Sequence, residues 1–187
     1  MRMIAIDPGP THSGWVEMSD GQPIAHGHWE NGQLRAMLAG EARDRVELVG
    51  CEWVSHFGKP AGRDLFETAL WTGRFVERWS GPTVLVTRQT IKAHVCGDAA
   101  ANGSHVRQAL IDRFGGNQRY RGVKCSTCKG RGKTGLGKSR RDCPVWEIEP
   151  GPVAGFVDHH WSALAVAVTV LDRGVTCGVL IQGGLPW

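Results

Sequence analysis

Three places in this chain carry side chains able to hold a divalent cation or move a proton. They are Asp7 in "MIAIDPGPTHSGW", Glu52 in "LVGCEWV", and the run "DHHWS" holding Asp158, His159, His160 and Ser162. Asp7 ends a short apolar run and is followed at once by Pro8 and Gly9. Turn chemistry alone accounts for such a residue, because Asp, Pro and Gly each favour tight turns. A carboxylate at a strand end can instead bind a metal ion above the sheet edge, with Gly9 and Gly14 letting a substrate backbone come close. Glu52 reads either as a surface residue at a strand end or as a second carboxylate for the same cation. The "DHHWS" run is explained by capping and the helix dipole, or as a ligand cluster at the rim of the core, since "ALAVAV" follows it directly. Mg²⁺ and Mn²⁺ both accept carboxylate oxygens, and an imidazole ligand tilts the preference toward Mn²⁺. Helical spacing lets Ser162 share a face with Asp158 or with His159, but not equally with both.

A second constellation is basic and cysteine-bearing. Between Arg119 and Arg141 lie nine lysines and arginines, including Arg121, Lys129, Arg131 and Lys133, and no acid. Elsewhere 13 basic residues face 18 acidic ones, so the net +4 divides into +9 in one segment and −5 in the remainder. Such a segment is built for an anion, and nucleic acid is the expected partner. Interleaved with it are Cys125 and Cys128, a C-x-x-C pair, and Cys143. The spacing suits a zinc loop with a fourth ligand from Cys96, His94 or Asp142. Three reduced cysteines on a solvated loop are the plainer alternative. The six cysteines are expected to be reduced, because no basic segment followed by an apolar stretch opens the chain and nothing suggests export. No run approaches the roughly 20 apolar residues of a membrane span.

Elements able to position these groups follow from apolar periodicity. Strand-like stretches at 3–7, 13–18 and 23–29, the last two joined by "DGQ", predict three adjacent antiparallel strands. A helix over 33–43, a buried strand over 45–54 and an amphipathic helix over 62–79 come next. The face of that helix is read from Leu65, Phe66, Ala69, Leu70, Phe75 and Val76. A strand over 82–87 follows, then a helix over 104–114 capped by Ser104. The alanine-rich run 157–172 predicts a buried helix, while the tail 174–187 has no assigned element. The fold class is therefore α/β: one domain, 1–187, with a mixed sheet flanked by helices and a basic insertion at 117–152. If the first and fourth strands are neighbours, Asp7 and Glu52 reach the same sheet edge.

"IAIDPGPTHSGWV", "LVGCEWV", "TIKAHVCGDAAANGSHVRQAL" and "DHHWSALAVAV" resemble, in order, the motifs of RuvC-type Holliday junction resolvases of the RNase H-like fold. The resemblance spans 1–115 and 153–172 and leaves the cysteine insertion outside it. It implies that Asp7 and Glu52 match the family's first two metal-binding acids. Two further acidic positions three residues apart, the first sometimes histidine, fall on His159 and Ser162. Ser162 departs from that pattern, and Asp158 is inferred to substitute, giving a site of Asp7, Glu52, Asp158 and His159. His159 is placed there as metal ligand or general base.

The family resemblance also implies two-metal phosphodiester hydrolysis, with two Mg²⁺ or Mn²⁺ ions about 4 Å apart, a homodimer, and four-way junctions as substrate. Lys92 matches a lysine near the active site, and Arg88 stands beside it in sequence. Neither a membrane nor a small-molecule cofactor is expected, and the cytoplasm of a bacterium or of a virus-infected bacterial host is the implied location. Ser162 also motivates a second expectation, a DNA-binding adaptor that keeps this fold with weakened or lost cleavage.

Overall fold

The computed structural model describes residues 1–40, 42, 44–55, 61–115, 118–121, 133–134, 141–142, 147–174 and 179–181. Two compact units are present, Met1–Leu110 with Phe156–Trp187, and Ile111–Gly155. The larger opens with β1 (Arg2–Asp7), β2 (His12–Ser19), β3 (Gln22–Glu30), α1 (Asn31–Ala39) and β4 (Leu48–Trp53). It continues through α2 (Arg63–Arg78), β5 (Thr83–Thr87), α3 (Arg88–Cys96) and, as far as Leu110, α4 (Gly103–Phe114).

The smaller unit holds two antiparallel ribbons. One pairs β6 (Gln118–Arg121) with β9 (Glu147–Pro150), and the other β7 (Lys133–Thr134) with β8 (Arg141–Asp142). Register sets Arg119 opposite Glu149 and Arg121 opposite Glu147. The chain then returns to the larger unit in α5 (Asp158–Arg173) and β10 (Val179–Ile181).

Six strands form one mixed sheet in the order β10-β5-β4-β1-β2-β3. The pairs β1·β2 and β2·β3 are antiparallel, while β1·β4 and β4·β5 are parallel. The β2–β3 hairpin turns at Asp20 and Gly21, whose φ angles of 50° and 78° match the mirror-image turn that suits strand twist. β1 and β4 read as near-continuous apolar runs because helices cover both faces. On one face Ile4, Ile6, Trp15, Val49 and Cys51 pack with Leu34 and Leu38 of α1 and Phe75 and Val76 of α2. On the other lies α5, with Val166 and Val170 over Gly50.

Three expectations are corrected, and the unassigned tail gains an element. The first helix spans 31–39, not 33–43, and ends against Gly40, whose N–H bonds back to Ala36 and Met37. The face of α2 read from Phe66 and Leu70 is the exposed one, at 65% and 54% exposure. Phe75 and Val76 are buried as read, and Thr68 and Thr72 are buried in place of Phe66 and Leu70. Each threonine hydroxyl donates to the carbonyl four residues earlier, Thr68 to Asp64 and Thr72 to Thr68, so a nominally polar stripe packs inward with its polar atoms satisfied. Asn102, not Ser104, caps α4, its Oδ1 accepting from the His105 N–H at 3.1 Å. In the tail, β10 adds to the sheet antiparallel to β5.

Candidate active site

Parallel register places Ile6 beside Cys51 on β1 and β4, so the next positions, Asp7 and Glu52, project together toward the α5 side. Both are buried, at 7% and 6% exposure. Beyond Asp7 the turn is held by a side chain 22 residues away. Asn31 Nδ2 donates to the Gly9 carbonyl at 2.9 Å, Ser13 Oγ donates to Asn31 Oδ1 at 2.6 Å, and the Gly9 N–H donates to Ser13 Oγ at 3.2 Å. Both glycines are required by the fold, and Gly9 also lines the cleft into which Asp7 opens. A Cβ on Gly9 would lie 2.3 Å from the His12 carbonyl oxygen, and one on Gly14 would lie 2.6 Å from the His159 Cβ.

Asp7 and Glu52 open into a cleft of about 630 Å³. Arg88 and Lys92, one helical turn apart on α3, line it, as do Asp158, His159 and Ser162 from the first turns of α5. α3 leaves β5 without a loop because Thr87, the last residue of the strand, is also the helix cap and accepts from the Thr90 N–H at 3.3 Å. The cleft thus brings together Asp7, Glu52, Asp158, His159, Arg88 and Lys92. It also includes Ser104 and Arg107 of α4, which lie in the stretch 90–110 but carry no site role from the sequence, and Thr68 of α2. Their common feature is one polar helical face, the i, i+3 pair Ser104 and Arg107. His160, adjacent to His159, turns away and packs on His26 and Phe156 at centroid distances of 4.6 and 5.7 Å.

Each buried carboxylate has a partner. His159 Nδ1 lies 2.8 Å from Asp7 Oδ2. Arg88 Nη1 donates to Glu52 Oε1 and Oε2 at 3.0 and 3.2 Å. Burial and the neighbouring Asp7 charge push the Glu52 carboxyl up to about 7, against the pull of Arg88 and Lys92. The hydrogen bond to Asp7 raises His159 above the ordinary imidazole value. Burial lowers His28, with the positive charge on His159 acting the same way.

Two buried carboxylates share one cleft, and burial with the charge of Asp7 raises the carboxyl of Glu52. Their chemistry fits a hard divalent cation. Among the described residues no group of three or more His, Cys, Asp and Glu converges on a single metal position, so Asp158 and His159 line the cleft without completing a ligand shell with the pair. Cys125, Cys128 and Cys143 lie outside the described residues, as do Lys129 and Arg131. Arg119, Arg121 and Lys133 are placed only on their strands. Of the residues considered as a fourth zinc ligand, His94 is bonded to Asp172 Oδ2 at 2.9 Å, and Asp142 lies on β8. Among the described residues no helix is long and apolar enough to cross a membrane.

No family model matches the chain, and no curated protein matches it. Among solved structures the fold is similar to that of Thermus thermophilus RuvC. The TM-score is 0.59 at 16% identity, over 94% of this chain and 98% of that one. It is similar also to T. thermophilus RuvC in complex with a Holliday junction substrate, with a TM-score of 0.61 at 16% identity, over 97% and 99% of the two chains. The chain therefore has the RuvC-like fold of the RNase H-like class.

Proposed function

We propose that this protein is a metal-dependent endonuclease that cuts four-way junctions or other branched DNA. The observation that carries the reading is the pair of buried carboxylates, Asp7 and Glu52, at the floor of a cleft rimmed by Arg88, Lys92 and Arg107. Acid below and cations around the opening suit a phosphodiester brought to a metal centre. A fold shared with a protein solved on a Holliday junction supports the choice of substrate class.

Asp7 and Glu52 would hold Mg²⁺ or Mn²⁺, with Asp158 as a further ligand and His159 as either a ligand or the general base. The bound ions supply Lewis-acid activation of water and of the scissile phosphate. The chain's own residues do the remainder. Lys92 and Arg88 face the non-bridging phosphate oxygens and neutralise charge that develops on them. In the general-base role, with Nε2 off the metal, His159 would take the proton from the attacking water. A P–O bond forms to that water oxygen and the bond to the 3′ oxygen breaks, the departing alkoxide taking a proton from solvent, which leaves a 5′-phosphate and a 3′-hydroxyl.

The basic insertion at 117–152, through Arg119, Arg121, Lys129, Arg131 and Lys133, contacts the duplex arms. Zinc bound by Cys125, Cys128, Cys143 and a fourth ligand would order it, which a metal content of one zinc per chain, lost in Cys125→Ser, would test. A second copy of the chain is the remaining partner, making paired nicks at a symmetric junction. Two observations favour the second reading, an adaptor that binds junctions without cutting. They are Ser162 lining the cleft where the family pattern has an acid, and Arg88 occupying Glu52. The deciding experiment is nicking of a labelled synthetic four-way junction beside linear duplex in Mg²⁺ or Mn²⁺, with Asp7→Asn as control. Junction-selective cleavage lost in the variant supports the nuclease, and tight binding without cleavage in either metal supports the adaptor.

A further inference from the structure

Asp7 on β1, Gly14 on β2 and His28 on β3 stand directly opposite one another across three adjacent antiparallel strands. Opposed residues of an antiparallel pair share a face, so all three lie on the side covered by α5. The middle position has no side chain, and the backbone of His159 is seated there. A Cβ on Gly14 would meet the His159 Cβ at 2.6 Å and its carbonyl oxygen at 2.7 Å. The His159 imidazole therefore stands between its two flanking neighbours. Nδ1 is 2.8 Å from Asp7 Oδ2, and the ring lies flat on that of His28, with centroids 4.8 Å apart and planes within 6°. His12 backs His28 from β2 at 5.5 Å.

We propose that His28 is a positioning residue for His159, its ring closing the slot over Gly14 so that the His159 imidazole keeps Nδ1 on Asp7 and leaves Nε2 to the cleft. The His159 side chain is 51% exposed and makes its hydrogen bond through Nδ1. A ring held at one edge can rotate about its side-chain torsions, and a flat partner on its face removes that freedom. Because the other nitrogen's hydrogen bond fixes the imidazole tautomer, the slot also selects the Nδ1–H form. What the slot requires of residue 28 is a flat ring, with no demand on its nitrogens. In its effect on cleavage the inference rests on the nuclease reading; the slot itself does not.

The test compares His28→Ala, which removes the ring, with His28→Phe, which keeps a flat one. Nitrogen-15 spectra of the His159 imidazole are recorded in metal-free full-length protein at a pH where the ring is neutral. Single-turnover cleavage of a four-way junction in Mg²⁺ and in Mn²⁺ and junction affinity are measured beside them. The expected result is an Nδ1–H tautomer in wild type and His28→Phe, and a tautomer mixture in His28→Ala. Cleavage by His28→Ala should be slower by about 10- to 100-fold at unchanged junction affinity, with most of the rate restored in His28→Phe. An unaltered His159 tautomer in His28→Ala, or cleavage by that variant at the wild-type rate, overturns the proposal. Should the wild type cut nothing in either metal, the nuclease reading fails alone, and the spectra still decide the slot: a mixture in His28→Ala upholds it and an unaltered tautomer overturns it.

Discussion

Arg88 grips both carboxylate oxygens of Glu52, at 3.0 and 3.2 Å, from 36 positions further along the chain. That grip does not bring Glu52 down to the ordinary carboxylate range, since burial and the charge of Asp7 hold it near 7. In the unfolded chain that group titrates near 4.5. The folded protein therefore binds this proton more tightly than the unfolded one. Its stabilising contribution is complete below about pH 4.5 and is lost as pH rises toward 7, about 3 kcal/mol in all. Urea melts of metal-free protein should show stability falling across that window. Glu52→Gln should flatten the fall, and Mg²⁺ or Mn²⁺ should offset it most above pH 7, where the carboxylate is free to ligate. A metal-free protein equally stable at pH 5 and pH 8 would count against this account of Glu52.

Asp7→Asn keeps the side-chain volume and removes the charge. If Asp7 binds the catalytic cation, junction cleavage should drop by at least about a thousandfold, the rate equivalent of several kcal/mol of lost metal-centred stabilisation. Junction affinity should be unchanged or tighter, because on the nuclease reading a negative charge has left the cleft that receives DNA. Asp158→Asn separates the two functional readings: a nuclease that uses Asp158 in place of the acid missing at Ser162 loses cleavage, and an adaptor is indifferent. Introducing the absent acid as Ser162→Asp should raise the rate if Ser162 weakens the centre. Gel-resolved nicking beside filter binding gives both quantities from one set of samples.

Adjacency of Asp7 and Glu52 was legible because it depends on strand order, and strand order follows from the apolar runs and the rule that sequential parallel strands lie close. The buried face of α2 was not, because Thr68 and Thr72 return their hydroxyls to their own helix and composition counts them as polar. Nor was the seating of His159 between Asp7 and His28. It is set by cross-strand register at Gly14, shared by residues 7, 14 and 28 and met by a helix some 130 positions after the last of them. The tie from Asn31 to Gly9 is hidden for the same reason, being long-range and carried by a polar side chain without a pattern. Residues bearing chemistry were visible by type, while those that hold them in place were visible only in the fold.

Arg88, Lys92 and Arg107 line the cleft together, and each is a candidate phosphate contact. Replacing one by alanine should weaken binding to junctions of any sequence and lower the slope of log affinity against log salt by about 1. Lys92→Ala should show this without a conformational effect. Arg88→Ala should in addition leave Glu52 without its guanidinium partner, raising the carboxyl further and making the mutant's metal requirement steeper in pH. Fluorescence anisotropy of a labelled junction over a salt series measures the slope. Equal slopes for Lys92→Ala and wild type would remove Lys92 from the interface.

Phe66 and Leu70 sit one turn apart on α2 and are 65% and 54% exposed, on the face opposite the buried threonines. Two large apolar side chains spaced four residues apart on a solvent-facing helix are costly to leave wet, each worth roughly 1.5–3 kcal/mol when fully buried. A symmetric four-way junction offers two equivalent strands for cutting, and a two-fold dimer supplies two equivalent clefts. If a second copy covers this face, Phe66→Asp with Leu70→Asp should convert a concentration-dependent dimer into a monomer in sedimentation equilibrium. Thermal stability at low protein concentration should change little, because neither side chain belongs to the core of its own chain. The same variant should then nick one strand of a junction without the paired second cut, which a supercoiled cruciform plasmid reports as open circles in place of linear product. A variant that remains dimeric, or that still linearises the plasmid, would place the contact elsewhere on the surface.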